Sequence, residues 1–473
     1  MDVAVLGATG DVGRQVCAQL IERRVLPTTS RLQLVGRPGG ASGRASYGLR
    51  ADLIDAYDEH APLIDVVLDP ADVVADVIVL AAGRTAPARA GAVADRATLA
   101  AENQQVFAAY ARAIAEHGSG HEVVVVVSNP VELAVATVAA ELGRHRVIGM
   151  GAWLDTLRFR REIAVSLGLR RHRVGGFVAG QHGDDLVPLW STVRVSGLDA
   201  EERARAVAGL RAGRSLDDFG AEITGAQTEL AGLMADRPDR AFALVEGWLP
   251  DLRAVARPWL THQSGAKTAS ATAAATVDLV DTVLDGREIV VAGQVVLDGE
   301  VTVGGRALHG VLGVPVVLGP EGWTRVILDE PAPDEARRLL ASADRIDGLL
   351  APWGLGRDGG APGGGAVDRW DAGSSRATTG LAVAAAAGPE RRWVMELTGD
   401  DRTGTLMALA SVFASRGVSF DALRTADAQD GAGEITVTFT ATERRQRLLI
   451  RTVARLQAVH AVRVRAAGLE DAR

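Results

Sequence analysis

A short apolar strand that runs through three glycines into a helix opens the chain and constrains its fold more than any other feature. The strand residues at 3–6 lead into Gly7, Gly10 and Gly13, and an apolar helical period follows them. Gly7 permits the tight turn, Gly10 lets a diphosphate approach the backbone, and Gly13 lets the helix pack close to the strand. The start of the helix also offers unpaired N–H groups to phosphates. This arrangement predicts a dinucleotide-binding fold.

The composition of the 473 residues limits the class of protein. A chain of this length holds two or three domains with sizeable cores. Its net charge of −8 gives no support for nucleic-acid binding. The single cysteine, Cys17, argues against disulfides and cysteine-ligated zinc, and we expect no metal. The valine run at 123–127 is too short to cross a membrane, and the first strand begins without a charged leader, so we expect a cytoplasmic protein without membrane partners.

Strand and helix patterns divide the first 350 residues into two domains. In residues 1–147, buried strands at 32–35, 77–81 and 123–127 alternate with helical stretches, which predicts an α/β, Rossmann-type domain with a parallel sheet. The sequence pattern of residues 148–350 predicts an α+β domain with a helix after Leu154, a helix over 264–284 and a last helix over 333–343. Its short strands are expected at 288–297, 300–303, 313–318 and 324–328.

The remainder of the chain predicts a linker and a third domain. Residues 351–390 are rich in Gly, Pro and Ala, which indicates a flexible linker. Residues 391–468 follow the order βαββαβ, with helix stripes around Leu409 and Leu449. That order predicts a small ferredoxin-like domain.

Asp155 and His182 are the strongest candidates for chemistry. Asp155 stands in the segment LDTLRFR and His182 in GQHGD. An aspartate that orients a histidine and stabilises its charged form makes a general acid and base near neutral pH. Arg158, one helical turn after Asp155, offers a forked cation that suits a carboxylate. These residues predict an enzyme that moves a proton on a small acid while it holds the acid's carboxylate.

With these motifs, the first 350 residues resemble the L-lactate/L-malate dehydrogenase family. The motifs follow the order of the family: GATGDVG at the first turn, SNPVE at 128–132, VIGMG at 147–151, then the segments of Asp155 and His182, 27 positions apart. The resemblance implies an α+β catalytic domain and hydride transfer between a nicotinamide ring and C2 of a 2-hydroxy acid. His182 would take the hydroxyl proton, Asp155 would hold the imidazole, and Arg158 would bind the C1 carboxylate.

The segment 83–103 resembles the active-site loop of that family. Arg96 precedes Asn103 by seven positions, the family spacing of the arginine that polarises the substrate carbonyl. Arg89 is the candidate for a second substrate carboxylate, as in malate dehydrogenases. Arg84 is the alternative, because the register here departs from the family pattern. The expected substrate is therefore malate or a malate-like dicarboxylate, and a lactate-like or branched monocarboxylate is the alternative.

The choice of cofactor depends on the end of the second strand. NAD-specific proteins carry an acidic residue there for the adenosine ribose, whereas this chain has Gly36 and Arg37. An arginine suits a 2′-phosphate, so we expect NADP(H) in preference to NAD(H). By the resemblance, Asn129 would contact both the substrate carbonyl and the nicotinamide ribose. The expected cofactor-binding residues are Gly7, Thr9, Gly10, Asp11, Val12, Gly13, Gly36, Arg37, Asn103, Val127 and Asn129.

Residues 391–468 resemble an ACT domain, a small amino-acid-sensing module. The resemblance rests on the segment LTGDDRTGTL at 397–406, the helix end RGV at 416–418 and the βαββαβ order. It implies an amino-acid effector near Gly404, with Thr403 in place of the common Pro. A unit that only pairs subunits is the alternative, and both resemblances imply a homodimer or homotetramer. A catalytically idle sensor is a further alternative, which the complete set of catalytic residues argues against.

Overall fold

The structure is a computed structural model, and it divides into two compact units. It describes residues 1–84, 96–356, 390–400, 404–415, 418–427, 432–443, 446, 449–450, 453–454, 456 and 458–468. The large unit comprises Val3–Val25 and Leu32–Ala361, and the small unit comprises Met1–Asp2, Leu26–Arg31 and Pro362–Arg473. Each unit is treated by itself below.

The first part of the large unit is a parallel sheet covered by helices. Its strands are β1 (Val3–Leu6), β2 (Arg31–Val35), β3 (Leu63–Val67), β4 (Val77–Leu80), β5 (Val123–Val126) and β6 (Val147–Gly149). Its helices are α1 (Asp11–Glu22), α2 (Ala41–Tyr57), α3 (Arg96–His117), α4 (Val131–Leu142) and α5 (Gly151–Ser166). The strands lie in the order β3-β2-β1-β4-β5-β6, the order of a dinucleotide-binding sheet. Strands β1, β4 and β5 are buried at every residue, as a sheet covered on both faces requires.

The expected strands of the parallel sheet are present, with two additions. Strand β3 was not predicted, because it lies at the edge of the sheet and is only partly buried, so it lacks a continuous apolar run. Strand β6 pairs with β5 in parallel and therefore carries the sheet to Gly149, past the expected domain end at residue 147. The last parallel strand thus leads directly into α5.

The second part of the large unit extends the same sheet with antiparallel strands. These are β7 (Val174–Gly180), β8 (Leu186–Val195), β9 (Ile289–Val303), β10 (Arg306–Gly319) and β11 (Gly322–Val326). The helices are α6 (Ala200–Arg211), α7 (Phe219–Met234), α8 (Pro238–Glu246), α9 (Pro250–Gln263), α10 (Ala269–Asp285) and α11 (Pro333–Leu350). Gly149 of β6 pairs with Gln294 of β9 in antiparallel register, so strands β1 to β11 form one eleven-stranded sheet.

Several expectations for this part were wrong in extent. The strand expected at 313–318 is the longer strand β10, which begins at Arg306. The strands expected at 288–297 and 300–303 are one long strand, β9, because Gly299 and Glu300 form a bulge where its register with β10 shifts. The helix expected over 264–284 begins at Ala269, since a turn at Gly265 separates it from α9. The last helix, α11, continues to Leu350, past the expected end at residue 343.

The small unit contains a four-stranded antiparallel sheet. Its described elements are β12 (Arg391–Asp400), α12 (Thr405–Ser415), β13 (Phe420–Asp427), β14 (Ala432–Ala441) and β15 (Val459–Ala466). The strand order is β13-β14-β12-β15, with β12 paired to β14 on one side and to β15 on the other. Leu449 and Val453 are helical and buried in a core that includes Phe413 and Phe439. The expected order βαββαβ agrees with these elements where they are described.

The expected linker at 351–390 overlaps the described residues only at its ends. A short 3-10 helix, Ala351–Trp353, continues from α11, so the first residues of this segment have regular structure. Residues 357–389 lie outside the described part of the chain. Among the helices that the structure describes, none combines the length and the apolar character needed to cross a bilayer.

Candidate active site

The structure brings Asp155 and His182 together. Asp155 lies in the second turn of α5, and His182 lies in the turn that joins β7 to β8. The Nδ1 atom of His182 is 2.7 Å from Oδ2 of Asp155, and Arg158 donates from Nη1 to the other carboxylate oxygen at 3.1 Å. Asp155 is 2% exposed and His182 is 21% exposed at the side chain. A buried carboxylate therefore holds a histidine whose ring still reaches the surface of the site.

The charges of this cluster adjust one another's pKa values. Burial lowers the pKa of His182, but the charge and hydrogen bond of Asp155 outweigh it, so the pKa lies above its ordinary 6.5. Burial alone would raise the pKa of Asp155, whereas His182 and Arg158 bring it below its ordinary 3.8. The arrangement stabilises a protonated His182 beside an ionised Asp155. Such a pair can donate a proton at neutral pH and accept it back.

Two further residues fix the position of His182. The backbone N–H of His182 donates to Oε1 of Glu132 at 2.8 Å. Glu132 is 3% exposed, and burial raises its pKa above the ordinary 4.5. Gly151 lies against the imidazole: a Cβ atom there would be 2.6 Å from Cγ of His182. Both residues occur in motifs that the sequence displays, but their roles depend on how α4 and α5 approach the β7–β8 turn.

Helix α11 supports the same turn from its other side. Ser342 accepts from the backbone N–H of Gln181 at 2.8 Å and donates to the carbonyl of Asp185 at 3.2 Å. Arg345 pairs with the side chain of Asp185, and Arg338 donates to the carbonyl of Leu186 at 3.0 Å. Sequence reasoning missed this support, because α11 lies about 160 residues further along the chain. No local pattern connects the two segments.

Side-chain hydrogen bonds join the carboxyl ends of the parallel strands. Asn103 is 1% exposed; its Oδ1 accepts from the N–H of Arg84 at 2.7 Å, and its Nδ2 donates to the carbonyls of Arg84 and Asn129, each at 2.9 Å. Ser128 donates to the carbonyl of Ala82 at 2.6 Å. The amide of Asn103 is thus engaged with the backbone beyond β4 and β5, which positions the edge of the sheet where a ligand binds in such folds.

The glycine-rich turn has the shape that a diphosphate needs. Gly7 has a φ of +82°, and a Cβ atom there would lie 2.7 Å from the carbonyl oxygen of Ala81. A Cβ atom at Gly13 would lie 2.2 Å from the carbonyl oxygen of Gly7, so the start of α1 packs directly on the turn. Thr9, Gly10, Asp11 and Val12 then lie at the N-terminus of α1, with Gly10 and Asp11 exposed. These residues fit a dinucleotide.

The second strand ends at another glycine that contacts the helix after it. A Cβ atom at Gly36 would lie 2.8 Å from Oγ of Ser46 in α2. Arg37 is exposed, and its backbone N–H donates to Oγ of Ser42 at 3.2 Å. The guanidinium of Arg37 is therefore presented at the carboxyl edge of β2, where the adenosine ribose lies in dinucleotide-binding folds.

The expected arginines of the 83–103 segment are only partly described. Arg89 lies outside the described residues, and Arg96 is described only as the first residue of α3, without its side chain. Arg84 is exposed and pairs with Glu102 at 2.9 Å. Val127 is buried and bonds to the carbonyl of Leu80 at 2.9 Å. Of the described residues, no group of three or more His, Cys, Asp and Glu side chains is arranged to hold a metal ion.

Comparison with known proteins agrees with the geometry of the turn and the sheet. Residues 1–149 match the family described as lactate/malate dehydrogenase, NAD binding domain. The first part of the chain is thus similar to the NAD-binding domain of lactate and malate dehydrogenases. The order of its six parallel strands and its glycine-rich turn are therefore those of a nicotinamide cofactor site.

Relatives extend the similarity through the second part of the large unit. The chain is 28% identical over 350 residues to malate dehydrogenases of Bacillus thuringiensis (strain Al Hakam) and Bacillus cereus (strain B4264), which covers 74% of this chain and 96% of each relative. The solved malate dehydrogenase of Aeropyrum pernix has a TM-score of 0.55 at 20% identity and covers 74% of this chain and 98% of that structure. The fold that this chain shares with the solved malate dehydrogenase thus covers 74% of its residues.

Proposed function

We propose that the protein is an NAD(P)-dependent dehydrogenase of 2-hydroxy acids, with malate or a malate-like dicarboxylate as substrate. The observation that carries the proposal is the buried pairing of Asp155 with His182 at 2.7 Å, with Arg158 on the same carboxylate. A general acid and base beside a carboxylate-binding arginine is the set that this reaction needs. The NAD-binding domain at residues 1–149 and the malate dehydrogenase relatives support the same activity.

Each residue of the cluster has a separate part in the reaction. The nicotinamide cofactor supplies the hydride acceptor or donor when it is bound. His182 removes the proton of the C2 hydroxyl on oxidation and returns it on reduction. Asp155 keeps the Nδ1 atom of His182 protonated and orients the ring, which leaves Nε2 for the substrate. Arg158 binds the C1 carboxylate through its planar guanidinium.

The substrate preference is tested with a panel of 2-oxo acids. Oxidation of NADH and NADPH is followed by absorbance with oxaloacetate, pyruvate and branched 2-oxo acids. Preference for oxaloacetate supports the dicarboxylate and a role for Arg89 or Arg84 at its second carboxyl group. Activity on monocarboxylates alone would support the dehydrogenase activity and contradict the dicarboxylate substrate. Cofactor binding without turnover on any acid would instead favour an idle sensor.

For the cofactor we propose NADP(H) in preference to NAD(H). The exposed guanidinium of Arg37 follows β2 directly, and no carboxylate stands at this position to bind the ribose hydroxyls of NAD. A positive side chain favours a 2′-phosphate. The test is the ratio of kcat/KM for NADPH and NADH in the wild type and in Arg37→Ser. We expect the substitution to reduce the preference by about tenfold, as the loss of one charge-assisted contact does; an unchanged ratio contradicts the assignment.

For the small unit we propose an ACT-like regulatory domain that binds an amino acid. The strand order β13-β14-β12-β15 supports this fold, and so does helix α12, which lies between β12 and β13 in the chain. Gly404 at the start of α12 has a φ of +100°. Pairing of subunits into a homodimer or homotetramer belongs to the same proposal. Thermal unfolding with each of the common amino acids tests it, because a ligand that binds the folded unit raises its Tm. If no amino acid shifts the Tm, the remaining role of the small unit is the pairing of subunits, which light scattering measures.

A further inference from the structure

Lys267 is the only lysine of the chain, and it lies beside the glycine-rich turn. It precedes α10 by two residues, and its Nζ atom is 2.5 Å from Oδ2 of Asp11. Asp11 is the first residue of α1 and follows Gly10 directly. A segment of the second part of the large unit therefore places a single positive charge at the expected position of the cofactor diphosphate.

Stability alone does not account for this ion pair. Lys267 is 44% and Asp11 59% exposed at the side chain, and ion pairs with this exposure contribute little to folding. Helices α1 and α10 are already joined elsewhere. Arg23 pairs with Asp278 at 2.6 Å, and Gln19 donates to the carbonyl of Ser270 at 3.2 Å. The Lys267–Asp11 pair is the contact that lies at the turn itself.

The charge of Asp11 opposes the binding of a diphosphate. The first N–H groups of α1 and its dipole attract anions. A carboxylate on the first residue of the helix repels an approaching phosphate and competes with it for the positive end of the helix. A lysine that neutralises the carboxylate removes the repulsion. Its ammonium group has three donors, so one contact to Asp11 leaves others for phosphate oxygens.

We propose that Lys267 is a cofactor-binding residue, whose ammonium group binds the cofactor diphosphate while it neutralises Asp11. This inference rests on the proposed NAD(P) dependence. The distal carboxylate of the substrate is the competing ligand, because Lys267 follows closely after His262 in the chain. His262 lies near the candidate site, since burial and then the charges of Arg158 and His182 lower its pKa. The contact of Lys267 with the first residue of α1 favours the diphosphate.

The experiment measures cofactor affinity rather than turnover. NADPH, NADH and ADP-ribose, which has the diphosphate without the nicotinamide, are titrated calorimetrically into the full chain and its variants. Lys267→Met is expected to raise the Kd of all three about tenfold, the size of one charge-assisted contact. The loss should shrink at high salt, because exposed charges are screened. Arg23→Met is the matched control, since it removes an ion pair between α1 and the α10 region about 18 Å from the turn and should leave each Kd unchanged.

A double variant separates neutralisation from a merely structural effect. Asp11→Asn combined with Lys267→Met should recover part of the affinity that Lys267→Met loses, because the repelling charge is gone while the direct contact of the ammonium group is still missing. The proposal is overturned if Lys267→Met binds ADP-ribose as the wild type does, or if Asp11→Asn restores none of the loss. It is also overturned if only the KM for the 2-oxo acid rises. A wild-type protein that binds neither NADPH nor NADH would instead contradict the proposed function.

Discussion

The candidate active site of the large unit and the core of the small unit are filled by different kinds of side chain. Around His182, polar groups are buried and bonded: Asp155 and Glu132 are each at most 3% exposed. The core of the small unit is apolar, with Phe413, Phe439 and Val437 at its centre. Buried polar groups cost free energy unless they are paired, whereas apolar groups stabilise a fold wherever they pack. The difference teaches that the site around His182 accepts a cost in order to hold ionisable groups, whereas the core around Phe413 is built from apolar side chains.

Loss of His182 should have the largest effect on turnover. His182→Asn keeps a side chain of similar size but removes the acid and base. We expect turnover to fall about 10³-fold, within the usual range for general acid–base catalysis. Cofactor affinity should stay near that of the wild type, because the glycine-rich turn is separate from the β7–β8 turn. Steady-state kinetics and cofactor titration check both results, and turnover comparable to the wild type would contradict the role of His182.

Gly151→Ala should have the next largest effect, through position alone. The added Cβ atom would lie 2.6 Å from Cγ of His182, so the imidazole must shift from its place beside Asp155. A displacement of this kind costs turnover about 10²-fold. Gly225→Ala in α7 is the matched control, because a Cβ atom there meets open space. The control should keep full activity and gain about 0.5–1 kcal/mol of stability. Equal activity in both variants would show that Gly151 does not position the ring.

Two substitutions of Glu132 distinguish the effect of its hydrogen bond on stability from the effect of its charge. Glu132→Ala leaves the N–H of His182 without its acceptor, and the free energy of unfolding should fall by about 1–3 kcal/mol. Glu132→Gln keeps an acceptor and should lose less. Because burial raises the pKa of Glu132, the folded protein holds this proton to higher pH than the unfolded chain. The carboxyl group therefore costs stability as the pH rises from 4.5 through the raised pKa, and the Gln variant should lack this loss in denaturant titrations at several pH values.

Phe413→Ala should have the smallest effect on catalysis. Phe413 is 1% exposed and contacts Phe439 at 5.2 Å between ring centroids. Its truncation should destabilise the small unit by about 3–5 kcal/mol, as large-to-small changes in a core do. Turnover without an effector should be unchanged. Thermal unfolding and steady-state kinetics measured together check this separation, and a parallel loss of activity would show that the two units do not act independently.

The sequence predicted the contact between Asp155 and His182 because the information for it is local. Asp155 and Arg158 lie one turn apart on one helix, and His182 follows a strand that pairs with its neighbour across a short turn. The glycines of the first turn are likewise constrained by contacts within a few residues, except for the approach of Gly7 to Ala81. Motifs of this kind are visible before any tertiary contact is known.

The support of the pair could not be predicted, because it comes from distant segments. Glu132 reaches the N–H of His182 from α4, and Ser342 reaches Gln181 from α11. The partner of Lys267 is 256 positions away, so the sequence could not predict this contact. The extent of β9 was also missed, since its bulge at Gly299 and Glu300 interrupts the alternating pattern, although the pairing with β10 continues beyond it.

The pH dependence of kcat/KM for 2-oxo acid reduction in the wild type and in Asp155→Asn tests the central claim most directly. Reduction needs a protonated His182, and Asp155 holds its pKa above 6.5, so wild-type kcat/KM should persist to higher pH before it falls. Without the carboxylate, burial lowers the pKa of His182, and the fall should begin at lower pH. If kcat/KM falls at the same pH in both proteins, the assignment of His182 and Asp155 as the proton-transferring pair is contradicted.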